Sequence, residues 1–166
     1  MAGRSEPASR LNTTLKKAIE FCNDLDTDNW FIMYGTLLGV ARNRSCIEGD
    51  DDVDIFISYD FEQLKSKVVD AGFTLSRFTS PKGMVKTNHT DQYASIDFYM
   101  CSVTDDDWYT PWERTWLRKV DIKQMDFQGV PVNVPNNVVS RLTQMYGVDW
   151  KTPRRGKKVG RDKEIK

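Results

Sequence analysis

Tyr34-Gly-Thr-Leu-Leu-Gly-Val-Ala-Arg42, followed shortly by Asp50-Asp-Asp-Val-Asp-Ile-Phe-Ile57, is the stretch on which the reading of this chain turns. In its second half Val53, Ile55 and Ile57 alternate with Asp52, Asp54 and Phe56. A strand period of two places Asp52 and Asp54 on one face. Two carboxylates aimed at one place repel, which raises a proton affinity unless a positive charge sits between them. A divalent cation with oxygen ligands is the simplest such charge, so the segment predicts a metal site. A solvated acidic loop is the bland alternative, and it fits poorly with a run that leads straight into Ile55-Phe56-Ile57. A calcium-binding EF-hand loop fails outright, because Ile55 stands where its sixth position requires Gly and Phe61 where its twelfth requires Glu.

Upstream, Trp30-Phe-Ile-Met-Tyr34 is an apolar, aromatic run of strand type, broken by Gly35-Thr36 into a segment of helical composition, Leu37 to Asn43. A strand, a tight turn and a helix start present free amide N–H groups, a glycine lets a ligand approach, and the Thr36 hydroxyl adds one more bond. Gly35, Thr36, Gly39 and Arg42 are therefore the candidate phosphate-binding residues. Arg42 either reaches a phosphate or pairs with one of the aspartates. Phosphate beside metal-binding carboxylates is the arrangement of phosphoryl transfer, where positioning and charge neutralisation supply most of the catalysis.

These residues resemble the LicD/fukutin group of phosphotransferases, within the nucleotidyltransferase superfold typified by polymerase beta. The resemblance rests on Tyr34 to Arg42, on Cys46-Ile-Glu-Gly-Asp-Asp-Asp-Val-Asp-Ile55, and on Phe127-Gln-Gly-Val-Pro-Val-Asn-Val-Pro135 and Tyr146-Gly-Val-Asp-Trp-Lys-Thr-Pro153. It spans about Leu15 to Pro153. Where the family usually has Pro-Trp ahead of the acidic run, this chain has Glu48-Gly49, which adds charge and flexibility at the mouth of the site. The resemblance implies an α/β (α+β) domain of nucleotidyltransferase (polymerase-beta-like) fold, a small mixed sheet flanked by helices. It also implies transfer of a phosphorylated alcohol, phosphocholine- or phosphoribitol-like, from a CDP-linked donor to a glycan hydroxyl with release of CMP, and a site loaded with Mg²⁺ or Mn²⁺. Two other readings stand beside it. One is a nucleotidyltransferase that uses a nucleoside triphosphate; the other is a catalytically idle nucleotide-sensing or partner-binding module of the same fold.

Asp97, inside the apolar run Tyr93 to Cys101, is the third acid of interest. A carboxylate between Ile96 and Phe98 is costly unless it is paired or bound to metal. In the superfold a third acidic residue on a neighbouring strand completes the metal set, and Asp97 resembles that residue. The resemblance thus gives Asp52, Asp54 and Asp97 as metal ligands and catalytic residues, with Asp97 either the third ligand or the base that receives the acceptor proton.

The 166 residues suffice for one domain with a core of its own. Lys and Arg number 24, as do Asp and Glu, but the balance is uneven. Arg154 to Lys166 holds seven basic residues against Asp162 and Glu164, leaving +5 there and −5 over residues 1–153. We therefore expect a LicD-like domain over 1–153 and a basic, disordered tail over 154–166. Cys22, Cys46 and Cys101 are odd in number and widely spaced, which indicates neither a disulfide framework nor a zinc knuckle. No apolar run approaches the roughly 20 residues of a membrane span, and Met1 to Arg10 lacks a signal-peptide core. The expected setting is cytoplasmic, with no nucleic-acid partner; the alternative is an excised lumenal domain, for which Asn12-Thr-Thr14, Asn43-Arg-Ser45 and Asn88-His-Thr90 supply the N-glycosylation pattern.

The remaining elements follow from periodicity and punctuation. Leu11, Leu15, Ala18, Ile19, Cys22 and Leu25 form one stripe of an N-terminal helix. Asp60 caps a helix from Phe61 to Ala71 with Gln63 at the capping-box position and Gly72 as its stop. Strands are expected at Thr74–Phe78, Met84–Thr87 and Tyr93–Cys101, a long loop at Thr104–Trp116, a hairpin of Ile122–Phe127 with Val130–Val134 about Gly129, and a last helix from Asn136 or Asn137 to Met145. In that loop Trp108, Tyr109, Trp112 and Trp116 are candidates to stack on a nucleobase or cage a quaternary ammonium, or to cover the core.

Overall fold

The alternating segment becomes the centre of the fold. In the computed structural model, which describes residues 4–153, Asp52–Ile57 forms strand β2, with β1 (Trp30–Ile32) antiparallel on one side and β4 (Ser95–Met100) parallel on the other. The edge strand β3 (Met84–Lys86) closes a four-stranded sheet of order β1-β2-β4-β3. Val53, Ile55, Ile57, Ile96 and Phe98 point to one face and are buried there at 1% exposure or less. Helix α1 (Ala8–Asn23) covers that face, its Phe21 ring lying 5.6 Å from Phe98. Fully burying such side chains contributes roughly 1.5–3 kcal/mol each, which locks the register, since a slip of one residue would turn the aspartates into this core.

Helix α2 (Tyr34–Asn43) follows β1 with Met33 at its N-cap and no side-chain cap, and helix α3 (Phe61–Asp70) begins as its sequence predicts, with Asp60 Oδ2 accepting from the Gln63 N–H at 2.9 Å. The hairpin of β8 (Ile122–Phe127) and β9 (Val130–Pro135) turns through Gln128 and Gly129, both at positive φ as a two-residue turn of this hand requires. It packs beside β1, where Asn133 Nδ2 donates to the Trp30 carbonyl at 3.1 Å. Helix α4 (Val138–Tyr146) ends the described fold; Asn137 is its N-cap residue, but in a left-handed conformation and without the side-chain hydrogen bond its type predicts.

Two expectations are corrected. Thr74–Phe78 is no strand: only Leu75 bridges Thr87, because the chain turns at Ser76, whose hydroxyl and carbonyl take the N–H groups of Phe78 and Thr79. Thr104–Trp116 is not a loop. It contributes to a three-stranded meander of β5 (Ser102–Thr104), β6 (Asp107–Thr110) and β7 (Thr115–Leu117). The inward set Trp108, Thr110, Thr115 and Leu117 mixes aromatic, polar and aliphatic residues, so burial has period two where hydrophobicity does not. Trp108 covers the core, its ring 4.7 Å from Phe31, while Trp116 lies outside under the Arg118 guanidinium at 4.3 Å.

The basic segment 154–166 lies outside the described residues. Among the described residues no helix is long and apolar enough to cross a membrane. All three cysteines are free and buried, and burial pushes the Cys46 and Cys101 thiols up to about 12. Asn12 and Asn88 of the glycosylation pattern donate their amides to neighbouring groups of the chain, Asn12 to Ser45 and the exposed Asn88 to Thr74 and Leu75.

Candidate active site

The pairing of strands sets a row of side chains across the open face of the sheet. Cα partners share a face, and Asp54 is opposite Asp97, which in turn is opposite Lys86. Asp52 stands two residues earlier, opposite Ser95. The carboxylate oxygens of Asp52, Asp54 and Asp97 lie within 4.8 Å of one another. Asp54 is 7% exposed and Asp97 5%, so these two acids are buried in the sheet and do not lie on a solvated loop.

An aromatic floor lies along the next row. Phe56 and Tyr99 are register partners, and the Tyr34 ring meets both edge-on with centroids 5.3 Å away. The Tyr99 hydroxyl donates to Asp54 Oδ1 at 3.4 Å. Burial first, then the charges of Asp54, Asp97 and Asp52, hold that phenol well above its ordinary range, so it stays a donor. Tyr34 itself sits at φ 53°, a backbone region bulky residues rarely adopt, at the junction of β1 and α2.

The carboxylates of the trio repel one another with little counter-charge beside them. Burial, then repulsion from Asp54 and Asp97, raises Asp52 well above the usual carboxylate range; burial, then Asp97, Asp50 and Asp51, does the same to Asp54. Lys86 is the cation that reaches them, its Nζ 2.5 Å from Asp97 Oδ1 and 3.6 Å from Asp52 Oδ2. Burial alone would lower Lys86, but Asp97, Asp52 and Asp54 more than reverse it and keep the ammonium charged. Two buried carboxylates and a half-buried third against one lysine leave an excess negative charge, and an all-oxygen donor set of this size suits Mg²⁺ or Mn²⁺. Asp50, Asp51 and Asp52 form a second close group that shares Asp52 with the first.

The phosphate-side residues fall in different places. A Cβ on Gly35 would come within 2.6 Å of Asp50 Oδ2, so this glycine admits a carboxylate to the start of α2. Thr36 is 2% exposed and its hydroxyl oxygen accepts from the Asp54 N–H at 2.9 Å, which fixes the backbone of that acid. Gly39 lets the Ser45 carbonyl approach, 2.4 Å from where a Cβ would stand. Arg42 donates through Nε and Nη2 to the Trp150 carbonyl at 3.2 and 2.6 Å, tying α2 to the turn after α4.

Two participants escaped the sequence reading. Lys86 belongs to a recognisable strand, but only the register shows that it faces Asp97. Glu6, 2% exposed, pairs with Arg10 Nε at 2.6 Å, and its backbone N–H and C=O bond Asp50 and Gly49 at 2.9 Å each. The N-terminal segment thereby clasps the acidic loop from outside.

A model of the LicD/FKTN/FKRP nucleotidyltransferase domain matches residues 28–137, a span that runs from just before β1 to the cap of α4 and contains the whole acid row. The chain belongs to the LicD/FKTN/FKRP family. Its fold is also that of a transferase of known structure, the lincosamide antibiotic adenylyltransferase LnuA with lincomycin bound, at a TM-score of 0.55 and 15% identity over 75% of this chain and 82% of that one. Among curated proteins none matches it in sequence. Membership of the LicD/FKTN/FKRP family identifies a transferase of nucleotidyltransferase-like fold, and the acid row is a group able to hold a metal ion.

Proposed function

We propose that this LicD-family protein is a metal-dependent phosphotransferase that moves a phosphorylated alcohol from a CDP-linked donor to a glycan hydroxyl and releases CMP. The observation that carries the proposal is the row Asp54–Asp97, both buried, with the half-buried Asp52 beside it, three acids brought together from two parallel strands inside a LicD domain. In this reading Asp52, Asp54 and Asp97 hold Mg²⁺ or Mn²⁺, whose chemistry is to neutralise and orient a diphosphate for in-line displacement. Asp97 receives the acceptor proton. Thr36 fixes the Asp54 backbone, Gly35 admits Asp50 beside the start of α2, Gly39 and Arg42 brace that helix against the loop and the C-terminal turn, and Tyr99 orients the Asp54 carboxylate.

The fold shared with an adenylyltransferase favours one further reading, attack at the phosphorus nearest the nucleoside, which leaves a nucleotide on the acceptor. The two reactions differ in product mass. Incubation with CDP-choline or CDP-ribitol, Mn²⁺ and a phosphorylated sugar acceptor should yield free CMP and an acceptor heavier by the phosphorylated alcohol. An acceptor carrying a nucleotide, without CMP, would replace the phosphotransferase reading by nucleotidyl transfer.

A further inference from the structure

Lys86 has no part in the metal reading as it stands, yet it reaches two of the three acids from the edge strand. Its Nζ touches Asp97 and Asp52, two of the three acids whose oxygens lie within 4.8 Å of one another. A divalent ion bound by all three would stand about 2.0–2.6 Å from their oxygens, and the ammonium, 2.5 Å from Asp97 Oδ1 and 3.6 Å from Asp52 Oδ2, borders that space. Two cations there would repel across a few ångströms of poorly screened interior. One of them has to yield.

The anchoring of Lys86 shows which part moves. Its backbone is pinned by Thr79, whose Oγ1 both accepts from the Lys86 N–H and donates to its carbonyl at 3.0 Å, and by the Ser76 N–H at 2.8 Å. Its side chain, by contrast, enters from the edge strand and is 24% exposed, against 8% for Asp97. A lysine is a point charge on a flexible four-carbon stem, able to change partners without moving its strand.

We propose that Lys86 is the resident counter-ion of the carboxylate trio, exchanged for a divalent cation when the donor binds, and that the freed ammonium then takes the donor's diphosphate. The inference rests on the metal reading of the trio. It assigns Lys86 two opposed effects, opposition to the metal in the donor-free protein and support of the diphosphate in the complex. A lysine that merely braced the sheet would produce neither.

The test is a pair of titrations on the full chain, by calorimetry and by the Mn²⁺ electron paramagnetic resonance signal, with folding of each variant verified by circular dichroism. Lys86→Met should bind Mn²⁺ in the absence of nucleotide at least tenfold more tightly than wild type, and at saturating Mn²⁺ should bind CDP at least tenfold more weakly. Lys86→Arg, which keeps the charge, should stay within about threefold of wild type for Mn²⁺. If Lys86→Met does not fold, Lys86→Gln serves the same two measurements. Mn²⁺ affinity unchanged in the neutral variants overturns the counter-ion role, and CDP affinity unchanged overturns the transfer of the ammonium to the diphosphate. Absence of Mn²⁺ binding in wild type and variants alike defeats the metal reading itself, a result distinct from both.

Discussion

At the scale of single residues, Asp54 carries the tension of the site. Its raised pKa means that the folded protein holds this proton more tightly than the unfolded chain does. The resulting stability is complete below about pH 4, where an unfolded aspartate titrates, and is lost as pH rises through the raised folded value. Metal-free protein should therefore melt at lower temperature at about pH 8 than at about pH 5, and Asp54→Asn should flatten that dependence. At neutral pH the same variant should be more stable than wild type without metal, while CMP release from a CDP-linked donor falls to background. An Asp54→Asn protein inactive only because it unfolds would contradict the assignment; thermal melts run beside the transfer assay separate the cases. Thr36 gives the complementary test. Thr36→Val leaves the buried Asp54 N–H without its acceptor, at a cost of about 1–3 kcal/mol, whereas Thr36→Ser retains the oxygen; urea unfolding should show the difference.

At the scale of elements, the two glycines of α2 do different work, although their sequence context makes them look alike. A Cβ at Gly39 would meet backbone, the Ser45 carbonyl oxygen at 2.4 Å and the Cys46 carbonyl carbon at 3.3 Å, so helix and loop must separate. Gly39→Ala should cost about 2 kcal/mol or more in unfolding free energy. At Gly35 the nearest atoms all belong to the Asp50 carboxylate, which can swing away. Gly35→Ala should keep stability within about 1 kcal/mol of wild type and report instead through altered Mn²⁺ affinity, since Asp50 adjoins Asp52. Denaturation curves for the pair, measured together, decide whether the glycines serve packing or the acidic loop.

At the scale of the whole molecule, the site depends on chain segments far apart in sequence. The Glu6 backbone bonds Gly49 and Asp50, more than 40 positions along the chain, and its buried carboxylate pairs with Arg10 Nε, whose guanidinium also bonds the Asp91 and Tyr93 carbonyls. Arg10→Ala should lower stability by about 1–3 kcal/mol, since Arg4 and His89 remain beside Glu6, visible as a drop in Tm, and Glu6→Gln with Arg10→Ala together should cost less than the sum of the single changes. Saturating Mn²⁺ or Mg²⁺ should raise Tm through preferential binding to the folded state, and EDTA should remove the gain. A Tm insensitive to millimolar metal in the presence of donor would point to the idle module.

The sequence by itself determined the elements that announce themselves by spacing: the period-two run of Asp52 to Ile57, the stripe of α1, the cap of α3 at Asp60 and the hairpin about Gly129. It also named the three acids, because a carboxylate amid apolar strand residues stands out wherever its strand finally sits. The meander around Trp108 stayed hidden, since its buried positions share no hydrophobic character that local reading detects. Only the tertiary structure decided that Asp54 and Asp97 are register partners, that Lys86 faces them from the edge strand, and that Arg42 and Thr36 spend their polar groups on the Trp150 carbonyl and the Asp54 amide. The physical reason is that strand order and register are set by burial of the opposite face of the sheet, a long-range packing choice with no local signature, and it is that choice which selects the neighbours of each charge.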